Sequence, residues 1–342
     1  MTADLRLVDR VGGDRTVSRT GDTVHVATHN VAGVRRHPSR LAVELAEAAA
    51  AAPTLPAATA GVPGGRDAEV DGLQRRMDAW ESTAAGVLRQ HFAREERVVV
   101  EKLSGAKTKR VFEAKAAAPP RDPQQPQGAP SPQAQVTGAV LAAQVYDVAK
   151  WAQALADDAD GWISGVYGDF FADWYAAHVG RVVGAGFTVP DSPLVTAGIA
   201  TQVNRIKGVA QTTFDQIAGA LADGVDAGDG VPQLTARVRA VFAGASAARA
   251  EMIARTEVAA AANGARHYAA REAGVAAHKV WVSTPDYRTR PTHRKLNGQR
   301  RPIDAYFHVA GHRLAFPGDP SAPPSETVSC RCVLVYDVGI TP

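Results

Sequence analysis

The residues best able to do chemistry crowd into the last third of the chain. They fall in three stretches: Ile253-Ala-Arg255-Thr256-Glu257, a basic run from Asp286 to Arg301, and Glu326-Thr-Val-Ser-Cys330-Arg-Cys332. His293, Glu326 and the arginines of the Arg288–Arg290 loop are the parts of an acid/base pair working against a phosphate. An imidazole and a carboxylate exchange a proton while a guanidinium holds the oxyanion. That chemistry would be phosphodiester cleavage or group transfer. The same residue types serve equally well as a hydrogen-bonded lock for the fold. The basic run admits three roles: a loop in which Asp286 pairs with Arg288 or Arg290, a contact with DNA or an acidic partner through Arg294, Lys295, Arg300 and Arg301, or catalysis. Phosphate contact of this kind is salt-sensitive and blind to base sequence.

Cys330 and Cys332 are the only cysteines of the 342 residues. A disulfide across one intervening residue is strained, so free thiols are expected. Residues i and i+2 share a face of a strand. With His293, and His308 or His312, the thiols would offer the four N/S donors that tetrahedral zinc prefers. A lone Cys-x-Cys signals metal more weakly than paired Cys-x-x-Cys, and buried cysteines also serve as small hydrophobes. The expectation is therefore no metal and no cofactor, with zinc on His293, Cys330 and Cys332 as the alternative. Arg255 and Glu257, two apart on a helix, point about 200° from each other and cannot pair. Each should bond a different loop, one around Asp286–His293 and one around Glu326–Cys332. No His-Glu-x-x-His or Gly-x-Ser-x-Gly occurs, and Ser104-Gly-Ala-Lys-Thr-Lys lacks the glycines of a phosphate loop. Asp223-Gly-Val-Asp-Ala-Gly-Asp-Gly has the spacing of turns, not of a calcium loop. No catalytic residue is assigned.

The elements that must position these groups are mostly helical. The composition is 45% hydrophobic but only 6% aromatic, with alanine supplying much of the apolar count, so thin helical seams are expected. A charged fraction of 21% is ordinary for a globular chain, and a net charge of +3 is too small to declare a nucleic-acid binder. No apolar run reaches the roughly 18 residues of a membrane span, so no membrane partner is expected. Residues 1–66 read as a basic, poorly ordered arm and linker, including a short helix over 38–52. A long amphipathic helix is expected over 67–103 through Leu73, Met77, Trp80, Ala84, Val87 and His91. The Pro/Ala/Gln-rich segment 104–135 reads as a spacer. Residues 136–245 should form a helical body. Its seams are Leu141 to Leu155 (closed by Asp157-Asp-Ala-Asp-Gly161), an aromatic face from Trp162 to Tyr175, Ile199 to Leu221 (ended by Asp223-Gly224), and a helix opened by Pro232. Residues 246–342 should form an α+β module, with a helix to Ala273 capped by Gly274, then alternating strands at Lys279–Ser283 and Val333–Tyr336. The fold class is α+β: a mainly helical body, a small C-terminal α+β module and an N-terminal arm.

The order Ile253-Ala-Arg-Thr-Glu257, Trp281-Val-Ser, Asp286-x-Arg-Thr-Arg290-x-x-His293, Leu296-Asn-Gly298-Gln, Phe307-x-Val-x-Gly, Pro317-Gly-Asp-Pro and Glu326-x-Val-Ser-Cys-Arg-Cys332 resembles the phage head morphogenesis family of Mu F-like minor capsid proteins. The resemblance spans about residues 195–336. It implies a non-enzymatic virion protein in the capsid interior, associated with the portal protein at its vertex. Further implied partners are capsid or scaffold proteins and packaged double-stranded DNA, touched non-specifically. Its role would be head assembly, DNA packaging or DNA exit. It also marks Arg255, Thr256, Glu257, Asp286, Arg288, Arg290, His293, Gly298, Glu326, Cys330 and Cys332 as structural motif residues. Some relatives carry Cys-x-x-Cys where Arg290 and His293 stand here, a departure that weakens the zinc alternative.

Overall fold

The computed structural model describes residues 65–105, 130–178, 192–243, 246–274 and 276–338, and the backbone of 4–8, 13–20 and 23–30. The expected helix over 38–52, the proline- and glycine-rich stretch before residue 65 and most of the 104–135 spacer lie outside the described residues. Strands β1 (Asp4–Val8), β2 (Gly13–Thr20) and β3 (Thr23–Asn30) pair antiparallel in sequential order. The sequence reads this stretch as a poorly ordered arm.

Seven helices of more than ten residues follow among the described residues: α1 (Gly65–Ser104), α2 (Pro132–Val145), α3 (Val148–His178), α4 (Pro193–Ile206), α5 (Gly208–Asp226), α6 (Val231–Ala243) and α7 (Ser246–Ala273). Four of their boundaries differ from the periodicity reading; one is Lys207, where the single seam expected from Ile199 to Leu221 divides into α4 and α5, and α5 runs through Asp223-Gly224 to Asp226. The seam through Leu141 and Leu155 is two helices, because Tyr146 is extended and the Asp147 carboxylate caps the next helix by accepting from Lys150 N at 3.0 Å. Asp157-Asp-Ala-Asp-Gly161 does not end α3. Asp157 accepts from Gln153 one turn back and Asp158 pairs with Arg94, so these aspartates act as side chains on a continuing helix and not as turn formers. The spacer ends sooner than expected, since Ser131 caps α2 by accepting from Ala134 N at 3.2 Å and Pro132 takes the first turn.

The chain divides into two compact units, and each of the four crossings between them falls within a helix. The unit formed by 84–160 and 203–252 is all helical. Its core holds Leu88, Phe92, Leu141, Leu155, Ile217, Leu221 and Val238. Helices α2 and α5 touch backbone to backbone at Gly138, where a Cβ would lie 2.5 Å from Ala218 O and 2.6 Å from Ala222 N. One buried polar set in this unit links His91, Asp158, Glu95 and Tyr146. His91 lies 2.7 Å from Asp158 and 3.3 Å from Glu95, whose carboxylate accepts from the Tyr146 hydroxyl at 2.6 Å.

Among the described residues, the other unit contains 161–178, 192–202, 253–274 and 276–338 together with α1 up to Thr83. Its helical part buries Trp162, Tyr167, Phe170, Phe171 and Trp174 from α3. Arg76 of α1 pairs with Asp169 and with Asp173, and Trp80 Nε1 donates to Asp169 at 3.0 Å. After Gly274 (φ +65°) ends α7 in the left-handed region, β4 (Ala276–Val282) forms the centre of a three-stranded antiparallel sheet. Its neighbours are β5 (Arg300–Pro302) and β8 (Val333–Val338), with Val280 opposite Val335 and Trp281 opposite Leu334. A hairpin of β6 (Phe307–Val309) and β7 (His312–Leu314) and two single-turn helices, α8 (Pro291–Arg294) and α9 (Pro324–Thr327), fill the connections. The fold is thus helical with a small C-terminal α+β part, as expected. No described helix is long and apolar enough to cross a membrane.

The contact at Gly138 gives the first prediction. Gly138→Ala adds a methyl where only backbone can yield, and should cost about 1–3 kcal/mol as overpacking. Denaturant unfolding checks it; Gly219→Ala on α5, with open space at its Cβ, serves as the control and should not lose stability.

Candidate functional site

Helix α7 buries a run of alanines: Ala254, Ala259, Ala260, Ala261, Ala262, Ala265, Ala269 and Ala270. Alanine lets backbones approach closely but removes little apolar area per residue, so polar groups on this helix decide what docks against it. Asn263 meets the chain end directly. Its Nδ2 donates to Cys332 O at 3.0 Å and its Oδ1 accepts from Leu334 N at 3.1 Å, clamping the residues around the start of β8. One turn on, Arg266 donates to Leu334 O at 2.6 Å and pairs with Glu69 at 2.5 Å. Two turns before Asn263, Thr256 Oγ1 accepts from Ser329 N at 2.9 Å, where Ser329 holds φ +56°.

This arrangement differs from the one expected for the Arg-Thr-Glu motif. Arg255 does not reach the 286–293 or 326–332 loops; its Nε donates to Glu81 of α1 at 3.2 Å. Burial pushes the Glu81 carboxyl up, with Arg255 and Arg331 pulling it down. Gln202 of α4 donates to the carbonyl of Glu257 at 3.0 Å and to its carboxylate at 3.4 Å. The direct lock to the Cys330 loop is made by Thr256, Asn263 and Arg266. Sequence reasoning missed the last two. The available signal was their own polarity: amide and guanidinium groups inside an alanine-rich run, where burial is unfavourable without partners.

The basic run becomes a set of short turns around His293. The Asp286 carboxylate accepts from Arg288 N, Thr289 N and the Thr289 hydroxyl, at 2.9, 2.9 and 3.1 Å, so it caps a turn where an ion pair with an arginine was expected. Arg290 donates to Val328 O at 2.7 Å. Gly298, at φ +77°, completes the turn in which Asn297 accepts from Ser283 N and Gly298 N reaches Trp281 O. Arg288, Arg294, Lys295 and Arg300 are exposed and Arg301 is half-buried. Arg300 pairs with Asp337 at 2.6 Å and Arg301 donates to Gln299 at 3.4 Å.

His293, Glu326, Cys330 and Cys332 come together, all buried. His293 Nε2 sits 3.2 Å from Glu326 Oε2, which also accepts from the Thr292 hydroxyl at 3.2 Å. His293 Nδ1 faces both sulfurs, 3.5 Å from Cys330 and 3.6 Å from Cys332. The ring stands edge-on to Trp281, centroids 5.2 Å apart. The thiols do not titrate alike. A hydrogen bond from Cys330 brings Cys332 down to about 5, aided by His293 against the opposing effect of burial. The same hydrogen bond, and then burial, pushes Cys330 up. The expected further ligands His308 and His312 are exposed on the β6–β7 hairpin and are absent from the group of three converging donors.

A second buried cation lies in β4. Lys279 is 1% exposed and donates to Ala315 O at 2.9 Å, in the wall of a cavity of about 230 Å³ shared with His267, Arg271, Asp304 and Tyr306. Burial brings its ammonium down to about 8, with Asp304 and Asp319 opposing and Arg271 assisting.

Comparison with known proteins covers this part of the chain. Residues 215–335 match the family model described as Phage Mu protein F like protein, a span that contains every motif residue above. Over 171 residues the chain is 30% identical to "Minor head protein GP7" of Bacillus phage SPP1, an alignment covering 47% of this chain and 54% of that protein. The chain therefore spans about half the length of this curated relative. No solved structure matches it.

Two predictions follow from the geometry. Asn263→Ala strands a buried carbonyl and a buried amide, each costing about 1–3 kcal/mol, whereas Glu251→Ala on the exposed face of the same helix should stay within about 0.5 kcal/mol; urea unfolding distinguishes them. For Lys279, the folded-state value lies below the unfolded 10.5, so the unfolded chain holds more protons between the two. The penalty is full below pH 8 and fades as pH rises toward 10.5. Wild type should gain stability relative to Lys279→Met over that window, and parallel pH profiles would refute the assignment. Together the match and the clustered motif make residues 215–335 similar to the Mu F-like phage head morphogenesis family.

Proposed function

We propose that this chain is a non-enzymatic minor head protein of a phage. On this reading it sits in the capsid interior at the portal vertex and assists head assembly, DNA packaging or DNA exit. The likeness of residues 215–335 to the Phage Mu protein F like family supports the structural role, as does the similarity to a minor head protein of Bacillus phage SPP1. The observation that carries it is where the motif side chains point. His293 is 1% exposed, Cys330 3%, Cys332 2% and Glu326 7%, and their side-chain bonds run to one another and to Thr292. Residues so placed hold a shape that another protein can grip.

The nuclease or transferase reading keeps one point in its favour. His293 and Glu326 stand 3.2 Å apart, close enough for a directly coupled acid and base. Against it, the pair has almost no surface to offer a polynucleotide, and Arg290 already spends its guanidinium on Val328 O. The partners implied are the portal protein and capsid or scaffold proteins. Packaged duplex DNA is a further one, touched through Arg294 and Lys295, with Arg300 and Arg301 contributing despite their internal partners. Such contact would weaken steeply with salt.

The reading is tested by isolating heads of the phage that encodes this chain and by pulling the portal protein down with the full-length chain. Recovery of the chain in few copies per head, bound to the portal protein, is expected. Its absence from purified heads, or DNA cleavage by the purified chain that disappears in Glu326→Gln, would overturn the proposal.

A further inference from the structure

We propose that His293, Cys330 and Cys332 hold a single soft divalent metal ion, zinc by ligand class, with Glu326 as the positioning residue that turns the imidazole toward it. The inference is independent of the head-protein reading.

The first observation is convergence. One ring nitrogen faces two sulfurs at 3.5 and 3.6 Å, and all three donor atoms lie within 4.8 Å of one another. A ring nitrogen makes one hydrogen bond in its own plane, so it satisfies one thiol and leaves the other without a partner from the imidazole. A cation among the three satisfies all of them at once. The spacing suits this: zinc–sulfur bonds of about 2.3 Å and zinc–nitrogen bonds of about 2.0–2.1 Å put tetrahedral N···S edges near about 3.6 Å. A thiol–imidazole hydrogen bond has a similar length and Cys330 also bonds to Cys332, so the distances do not decide alone; the convergence of three donors in front of a carboxylate-backed imidazole carries the inference.

The second observation is the far side of the ring. A carboxylate only accepts, so Nε2 carries the proton in its contact with Glu326 at 3.2 Å, and Nδ1 keeps its lone pair for the sulfur side. A carboxylate behind a histidine is the arrangement that fixes tautomer and orientation in metal-ligating imidazoles. Thr292 donates to the same oxygen and so holds the carboxylate in place.

The third is preorganisation. The backbone at or next to each donor is pinned: Ser283 Oγ donates to His293 O at 2.7 Å, Thr284 Oγ1 to Arg331 O at 2.8 Å, and Asn263 Nδ2 to Cys332 O at 3.0 Å. Cysteines serving only as small hydrophobes need none of this. Charge also closes: two thiolates and Glu326 contribute three negative charges, and a divalent ion with Arg290, which acts electrostatically on Cys330, contributes three positive ones. Thiolate with imidazole selects zinc over magnesium or calcium. Zinc's remaining position would fall to water or another small ligand.

The test uses the full-length chain, purified under reducing conditions, stripped with a chelator and titrated with Zn²⁺ alone or Co²⁺ alone. One zinc per chain by elemental analysis, and a thiolate-to-cobalt charge-transfer band, are expected. Cys330→Ala and Cys332→Ala should each lose the band while retaining the wild-type circular dichroism of the zinc-free chain. Glu326→Gln should keep the band and weaken zinc binding about 10–100-fold. Failure of the wild type to bind zinc, a cobalt spectrum without the thiolate band, or unchanged zinc affinity in Cys332→Ala would each overturn the assignment. So would a Cys330–Cys332 disulfide, seen as the loss of two hydrogens by mass in the protein isolated without oxidant.

Discussion

The arrangement of the C-terminal part rests on one constraint: a helix surfaced with alanine can dock a strand closely but cannot hold it by apolar area. Asn263 resolves this by giving the strand an extra pair of backbone-like hydrogen bonds, to Cys332 O and Leu334 N. Arg266, one turn on, and Thr256, two turns back, extend the same line. Each partner is a main-chain group that would otherwise be buried without a bond, so losing one side chain exposes the full desolvation cost of the other group. That makes the attachment specific in register. A slip of one residue along β8 would leave the amide and carbonyl groups facing the wrong way.

Once the strand is fixed, the Cys-Arg-Cys segment has little freedom. Cys332 O is tied to Asn263, Arg331 O accepts from Thr284, and Arg290 holds Val328 O. The turns around His293 are closed by Ser283, Asn297 and Asp286 in the same manner, side chain to backbone. The four side chains at the centre therefore sit where two sets of turns meet, and their chemistry is confined to one another. This is the physical basis for treating the motif as a shape-holding device.

Much of this was legible in the sequence. The period of α7, its Gly274 stop, the alternation that became β4 and β8, and the aromatic face of α3 follow from side-chain spacing alone. The meeting of His293 with the two cysteines could be suspected from residue types. What spacing could not give was partner choice. Arg255 finds Glu81 and not the loops, because its position on α7 faces α1, which no local pattern encodes. Asp147 and Asp157–Asp158 look alike in sequence yet one caps a helix and the others lie inside one. Asn263 was invisible as a motif residue because its bonds are to backbone, which has no sequence.

Amide hydrogen exchange at Leu334 tests the central claim most directly, since that N–H donates to Asn263 Oδ1 at 3.1 Å. The account predicts that it exchanges only with global unfolding in the wild-type chain, as slowly as the buried amides of α7, and that it exchanges much faster in Asn263→Ala. An amide at Leu334 that exchanges quickly in the wild type, or as slowly in the variant, would contradict it.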